Sequence, residues 1–332
     1  MKIAFLGTGA WGFCLASLIA SKNHHVVSWT TKSDLAKRLE ETREHESLPG
    51  QKSVGNMTFT TDLNKALFQA DIIVEAVTSS GIRPVFEKIK QIETIKVPII
   101  ITSKGIEQKS GLILPEVIQH VLGQETRENI GVMSGPSFAH DVIRGLPTSV
   151  VGSGYSQQAI KAVCDLFGTK TFRIYPNSDI LGVCYGGALK NIIAIACGIS
   201  EGLAFGMSAI ASLITRGLHE ISKLARHFGA RQETLYGLSG MGDLCMTSSS
   251  LLSRNFRFGH LLAQGLTEEE AKMKIGMVIE GAYTTISALE LGKKAGLEMP
   301  ITEMVYKIIY EKLDPKIAAL ELMQRAIKEE HL

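Results

Sequence analysis

The sequence has no Cys-x-x-Cys pair, no excess of charge of either sign and no apolar run long enough to span a bilayer. Its five cysteines, Cys14, Cys164, Cys184, Cys197 and Cys245, are odd in number and scattered. This argues against a zinc site, a redox dithiol or a disulfide framework and fits reduced, buried thiols in the cytoplasm. Lys and Arg total 35 against 33 acidic residues, so no basic surplus marks a nucleic-acid or anionic-membrane binder, and any anion site must be local. The apolar start, Met1 to Leu6, is too short for a signal-peptide core. The longest apolar region, Ile192 to Ile199, is too short for stable membrane insertion. Internal repeats and low-complexity tracts are lacking as well.

What is present is an ordinary globular composition, 45% hydrophobic and 20% charged over 332 residues, which suits two domains better than one. Up to about residue 176, short β-branched runs alternate with amphipathic or polar stretches. The strand candidates are Lys2–Leu6, His25–Trp29, Asp71–Val77, Pro98–Thr102, Ile130–Met133, Thr148–Val151 and Thr171–Tyr175. This is the pattern of an α/β, doubly wound, Rossmann-type domain around a parallel sheet buried on both faces. Beyond Ser178-Asp179, a helix-capping pair, the β-branched runs give way to helical patterns over 180–200, 209–228, 267–274, 283–295 and 302–310. Gly229 and Gly296 follow basic last turns, as helix ends often do. The expected division is therefore 1–178, a dinucleotide-binding domain, and 179–332, a mainly α-helical substrate and catalytic domain.

Directly after the first strand comes Gly7-Thr8-Gly9-Ala10-Trp11-Gly12, which runs into the helix-compatible Phe13–Ala20. A bare GxGxxG is a weak signal; one placed between strand and helix is a dinucleotide fingerprint. Gly7 permits the turn, Gly9 lets backbone approach a pyrophosphate, and Gly12 allows close helix packing. At the end of the second strand, Ser28-Trp29-Thr30-Thr31-Lys32 lacks the acidic residue that NAD-selective folds place against the ribose hydroxyls. Lys32 is either a partner for the 2′-phosphate of NADPH or a solvated loop lysine.

Four further segments carry polar groups among glycines or apolar neighbours. Lys104, after the run Pro98–Ile101, belongs at a strand's C-terminal end, where open α/β sheets bind ligands, or else snorkels to water. Lys190 interrupts an otherwise apolar helix. Because lysines are rarely buried without reason, it is a candidate acid–base with a lowered pKa, the alternative being a lysine that reaches solvent from the helix face. Asp243, after Gly240-Met241-Gly242, can face Lys190 or a substrate hydroxyl, or cap the next helix. Ser253-Arg254-Asn255 gathers a guanidinium fork with hydroxyl and amide donors suited to a phosphate dianion, unless it is a solvated loop.

Taken in order, Gly7–Gly12, Ser103-Lys104-Gly105, Gly135–Ala139, Leu189-Lys190-Asn191, Leu238–Asp243, Ser253-Arg254-Asn255 with Arg257-Phe258-Gly259, and Val278–Gly281 resemble the bacterial NAD(P)-dependent glycerol-3-phosphate dehydrogenases over essentially the whole chain. The resemblance implies hydride transfer between a nicotinamide nucleotide and a three-carbon phosphate, with Lys190 as the proton acceptor. It assigns Lys104, Gly135, Ser137, Asn191, Asp243, Ser253, Arg254 and Asn255 to the substrate. To the cofactor it assigns Gly7, Gly9, Ala10, Trp11, Gly12, Lys32, Lys104, Ala139, Arg254, Val278 and Glu280, with Gly135 and Ser137 also lining that site. It further implies NADP or NAD as cofactor, with NADPH slightly favoured, no metal, a cytoplasmic homodimer and a supply of glycerol phosphate for phospholipids. Thr31 stands where the family often has arginine, and Thr78 where it usually has proline, whose ring would fix φ. A ketopantoate or β-hydroxyacid reductase, and a nucleotide-responsive binder without turnover, remain as rivals.

Overall fold

The computed structural model describes residues 1–92, 94–327 and 329–330. The chain divides into two compact units, Met1–Ser103 with Leu114–Ile180, and Lys104–Ile113 with Leu181–Leu332.

The first unit is built on eight strands: β1 (Lys2–Leu6), β2 (His25–Trp29), β3 (Met57–Thr60), β4 (Ile72–Glu75), β5 (Ile99–Ile101), β6 (Ile130–Ser134), β7 (Thr148–Gly154) and β8 (Phe172–Asn177). Their order across the sheet is β3-β2-β1-β4-β5-β6-β7-β8. Every neighbouring pair is parallel except the antiparallel β6–β7. β4 and β5 are buried throughout and β1 over four of its five residues. Burial on both faces is why they read as continuous apolar runs and not as alternating ones. Phe5, Phe13, Phe167 and Phe172, all within 1% of complete burial, anchor this core, each contributing about 1.5–3 kcal/mol by leaving water.

β3 is a strand absent from the expected set. It is four residues long, alternates buried and half-buried positions, and pairs at the sheet edge through Val26 to Met57 and Trp29 to Thr60. The expected strand over 71–77 is shorter in the structure, because the chain turns after Glu75. Winding reverses between β1 and β4, so the turn after β1 lies at the switch point where such sheets bind ligands.

The helical unit is organised around Ile180–Gly202, a 23-residue helix. By length and composition it could cross a membrane, but most of it is buried within the protein. Leu189, Ile192, Ile193 and Ile195 form the middle of its core cluster. The helix Arg254–Ala263 lies against it at glycine contacts: a Cβ on Gly259 would fall 2.0 Å from the Ile195 carbonyl oxygen, and one on Gly198 would fall 2.0 Å from that of Phe256. This close approach sets Arg254 and Asn255 beside the central helix. Glu220, 3% exposed, accepts hydrogen bonds from the Ile301 and Thr302 amides at 2.9 Å and closes the start of the helix Pro300–Tyr310. Ile106 and Ile113 bridge each other and belong to this unit's core, which ties the segment Lys104–Ile113 to it.

Candidate active site

In the first unit, the Gly7 turn carries the nucleotide-binding features. Gly7 has φ +105°, and a Cβ there would lie 2.6 Å from the Ala76 carbonyl oxygen; a Cβ on Gly12 would lie 2.1 Å from that of Gly7. Side chains are excluded at both positions, by backbone conformation at the first and by packing at both. In front of Gly9 a Cβ would meet nothing, so the space into which a pyrophosphate would reach is open. The helix Ala10–Ala20 begins at Gly9 with no side-chain cap and no acidic residue in its first turn. Its N-terminal amides and the positive end of its dipole are therefore available to an anion. Ala10 and Trp11 open that helix half-buried.

The Cys14 thiol donates to the Ala139 carbonyl oxygen at 3.5 Å, which joins this helix to the segment Gly135–Ala139. Gly135 follows β6 with φ +153°, the Ser137 hydroxyl donates to the Gly135 carbonyl oxygen at 3.1 Å, and Ala139 opens the short helix Ala139–Ile143. Lys32, exposed, precedes the helix Ser33–Thr42, and the residues after β2 contain no carboxylate before Asp34.

The reactive cluster lies in the helical unit. Lys190 is 5% exposed and Asp243 fully buried. Lys190 Nζ donates to Asp243 Oδ1 at 2.5 Å and to Thr247 Oγ1 at 2.6 Å, and Lys104 Nζ donates to Asp243 Oδ2 at 2.5 Å. One carboxylate thus holds two ammonium groups. Burial pushes Lys190 down to about 7; Asp243 opposes the shift and Lys104 adds to it. For Asp243, burial works against the charge, but Lys104 and Lys190 prevail and hold it below the ordinary carboxylate value. A lysine that exchanges its proton near neutrality and a carboxylate that stays ionised make an acid–base pair with divided roles. The helix-face alternative for Lys190 and the capping alternative for Asp243 are both set aside by this geometry. Asp243 opens the helix Asp243–Thr247, but its side chain makes no cap.

Thr247 did not stand out in the sequence, where Met246-Thr247-Ser248-Ser249-Ser250 resembles a polar loop. Its signal is spacing: on a helix, a residue four beyond Asp243 shares its face.

A second group adjoins through Asn191, the residue after Lys190. Asn255 Nδ2 donates to Asn191 Oδ1 at 3.0 Å, and Asn255 Oδ1 accepts from the Gly281 amide at 2.9 Å. Ser253 caps the helix Arg254–Ala263, its Oγ accepting from the Phe256 amide at 3.2 Å. The Arg254 side chain is accessible at the surface; crowding by protein lowers its pKa, the Glu280 carboxylate opposes that, and Arg257 reinforces it. Glu280 opens the helix Glu280–Lys294, and Val278, 37% exposed, lies just ahead of it. Lys104, Lys190, Asn191, Asp243, Ser253, Arg254, Asn255, Val278 and Glu280 therefore belong to the helical unit, while Gly7–Gly12, Lys32 and Gly135–Ala139 belong to the sheet unit. Among the described residues, no group of three or more His, Cys, Asp or Glu side chains is arranged to hold a metal.

Residues 2–160 match the family described as NAD-dependent glycerol-3-phosphate dehydrogenase N-terminus, and residues 179–320 match its C-terminus. This chain belongs to the NAD-dependent glycerol-3-phosphate dehydrogenase family. A protein of Protochlamydia amoebophila named glycerol-3-phosphate dehydrogenase (NAD(P)+) is 62% identical to it, over 100% of this chain and 99% of the relative. One of the same name from Chlamydia pneumoniae is 54% identical over 99% of each. The crystal structure of the Coxiella burnetii glycerol-3-phosphate dehydrogenase superposes with a TM-score of 0.93 at 38% identity, covering 98% of this chain and 99% of that one. As a glycerol-3-phosphate dehydrogenase family member, the chain is an oxidoreductase that uses NAD or NADP, with a Rossmann-type sheet unit and a helical unit.

Proposed function

We propose that the protein interconverts sn-glycerol 3-phosphate and dihydroxyacetone phosphate, with Lys190 moving the proton. The observation that carries this reading is the buried Lys190–Asp243–Lys104 cluster in a chain of this family. NADPH or NADH supplies the hydride to the substrate carbonyl carbon. In that direction Lys190 gives its proton to the carbonyl oxygen; in the reverse direction neutral Lys190 accepts the hydroxyl proton. Asp243 fixes Lys190 and Lys104 through separate oxygens, so neither ammonium needs to reorganise during the reaction. Thr247 accepts from Lys190 Nζ and narrows its orientation further. Arg254, with Asn191, Ser253 and Asn255 beside it, holds the phosphate and positions the carbon skeleton, converting remote binding energy into alignment.

The nucleotide belongs on the Gly7–Gly12 turn, with Ala10, Trp11, Gly135, Ser137 and Ala139 as its contacts in the sheet unit and Lys32 facing a 2′-phosphate when NADPH binds; Val278 and Glu280 are the cofactor candidates of the helical unit. The exposed apolar side chains Met207, Leu320 and Met323 on the helical unit favour a homodimer. Five free cysteines favour the cytoplasm. Supply of the glycerol phosphate backbone of phospholipids is the role that fits the reaction. The test follows the loss of reduced-nicotinamide absorbance with dihydroxyacetone phosphate in wild type and Lys190→Ala. The expected result is turnover in wild type that falls about 10²- to 10⁴-fold in the variant and is partly restored by added primary amine. A folded wild type that binds nucleotide but never oxidises it with this substrate would overturn the reading.

A further inference from the structure

β4 is a central strand, apolar at Ile72, Ile73 and Val74, yet it ends in Glu75, whose relative exposure is 0%. A carboxylate there is costly to desolvate and contributes nothing to apolar packing. Its partners explain its presence. Glu75 Oε1 accepts from the Val77 amide at 2.6 Å and from Ser103 Oγ at 2.8 Å, and the same Ser103 hydroxyl lies 2.6 Å from the Val77 carbonyl oxygen. Whichever acceptor takes the Ser103 proton, the segment after β5 is fastened to the loop after β4. The Thr102 amide and hydroxyl, at 3.0 and 2.8 Å from the Glu75 carbonyl oxygen, add a second fastening.

That loop is the floor of the nucleotide turn. A Cβ on Gly7 would lie 2.6 Å from the Ala76 carbonyl oxygen and 3.0 Å from the Val77 amide nitrogen, so the backbone at Gly7, where the turn begins, packs directly on Ala76 and Val77. Thr78 follows with φ −69°, an angle that a proline ring would fix covalently. Here the loop has no proline, and the hydrogen bonds of a buried carboxylate immobilise it instead.

We infer that Glu75 is a positioning residue for dinucleotide binding: its buried side chain, bridging Val77 and Ser103, holds the loop on which the Gly7 turn rests. It touches neither reacting group. The inference rests on the dehydrogenase reading above and is tested by nucleotide affinity, which can be measured without turnover.

Calorimetric titration of NADPH and NADH into wild type, Glu75→Leu and Glu75→Gln is the experiment. Glu75→Leu removes both acceptor contacts and should raise both nucleotide dissociation constants about tenfold, while kcat at saturating nucleotide stays within about threefold of wild type. Glu75→Gln keeps an acceptor oxygen and should stay within about threefold of wild type in affinity. Adding Thr78→Pro to Glu75→Leu should recover most of the lost affinity, since the ring restores the lost constraint. If Glu75→Leu fails to fold, as judged by circular dichroism and thermal unfolding, Ser103→Ala replaces it, with an expected weakening of about threefold to fivefold. Unchanged affinity in folded Glu75→Leu, or in Ser103→Ala where that variant is needed, overturns the inference. So does a Gln variant as weak as the Leu variant, or a proline that recovers nothing. A wild type that binds neither nucleotide overturns the dehydrogenase reading itself.

Discussion

Asp243 lies 53 residues beyond Lys190 in the chain and 2.5 Å from it in the fold. Its other oxygen holds Lys104, so an ionised carboxylate separates two cations in a buried site. Lys190 yields its proton far more readily than an ordinary lysine, because burial and the Lys104 charge both oppose its ammonium.

The pH dependence of turnover follows from that assignment. Lys190, pushed down to about 7 from an ordinary 10.5, is protonated below neutrality and neutral above it. Reduction of dihydroxyacetone phosphate needs the proton, so kcat/KM should be flat at low pH and fall about tenfold per pH unit above the inflection. Oxidation of glycerol 3-phosphate needs the neutral amine and should rise through the same region to a plateau. Lys190→Arg, which cannot release its proton, should be inactive in the oxidative direction throughout. An inflection near 10 in wild type would contradict the assignment.

Thr247→Val tests the hydroxyl that Lys190 meets at 2.6 Å. The replacement is close in shape and removes one acceptor, a loss of about 1 kcal/mol, or roughly fivefold in kcat with KM for substrate little changed. The acceptor favours the ammonium, so its removal should also move the pH inflection below that of wild type. A fixed inflection with unchanged kcat would leave Thr247 no part in holding Lys190.

Arg254→Ala should raise KM for dihydroxyacetone phosphate by roughly 10- to 100-fold, the cost of a charge-assisted contact to phosphate. Unphosphorylated dihydroxyacetone, a poor substrate in either case, should be reduced equally well by variant and wild type. Equal losses on both substrates would show that Arg254 acts on the reacting end and not on the phosphate.

Glu220 predicts a stability effect away from the reaction. Burial raises its pKa, against the hydrogen bonds from Thr302 and Ile301 and the charge of Lys223. A carboxylate with a raised folded pKa gives stability that is present below its unfolded value, near 4.5, and is lost as pH rises through the folded value. Between those two values, Glu220→Gln should flatten the decline of thermal stability seen in wild type. Parallel curves for the two proteins would place the pH effect elsewhere.

Much of the fold was legible because burial on two faces writes continuous apolar runs, as in Lys2–Leu6 and His25–Trp29, whose limits coincide in sequence and structure. Met57–Thr60 was not: four residues at a sheet edge carry too little pattern, and Thr58 and Thr60 fit a loop equally well. The helix Arg254–Ala263 was hidden for another reason. Gly259 reads as a break, but it is there to let the helix touch Ile195, a contact no local pattern reveals. In the site, Lys190 stood out as a lysine among apolar neighbours, while its pairing with Asp243 and Lys104 needed three separate elements to meet. Thr247 became visible only once the helix Asp243–Thr247 turned it toward them.

The ten residues Lys104–Ile113 leave the sheet unit, contribute Ile106 and Ile113 to the helical core, and return. The two halves of this enzyme are therefore not interchangeable cassettes. A single genetic crossover near residue 178, grafting a foreign helical half onto this sheet, would carry along a loop of ten residues shaped for a core left behind, and with it Lys104, one of the two lysines that Asp243 requires.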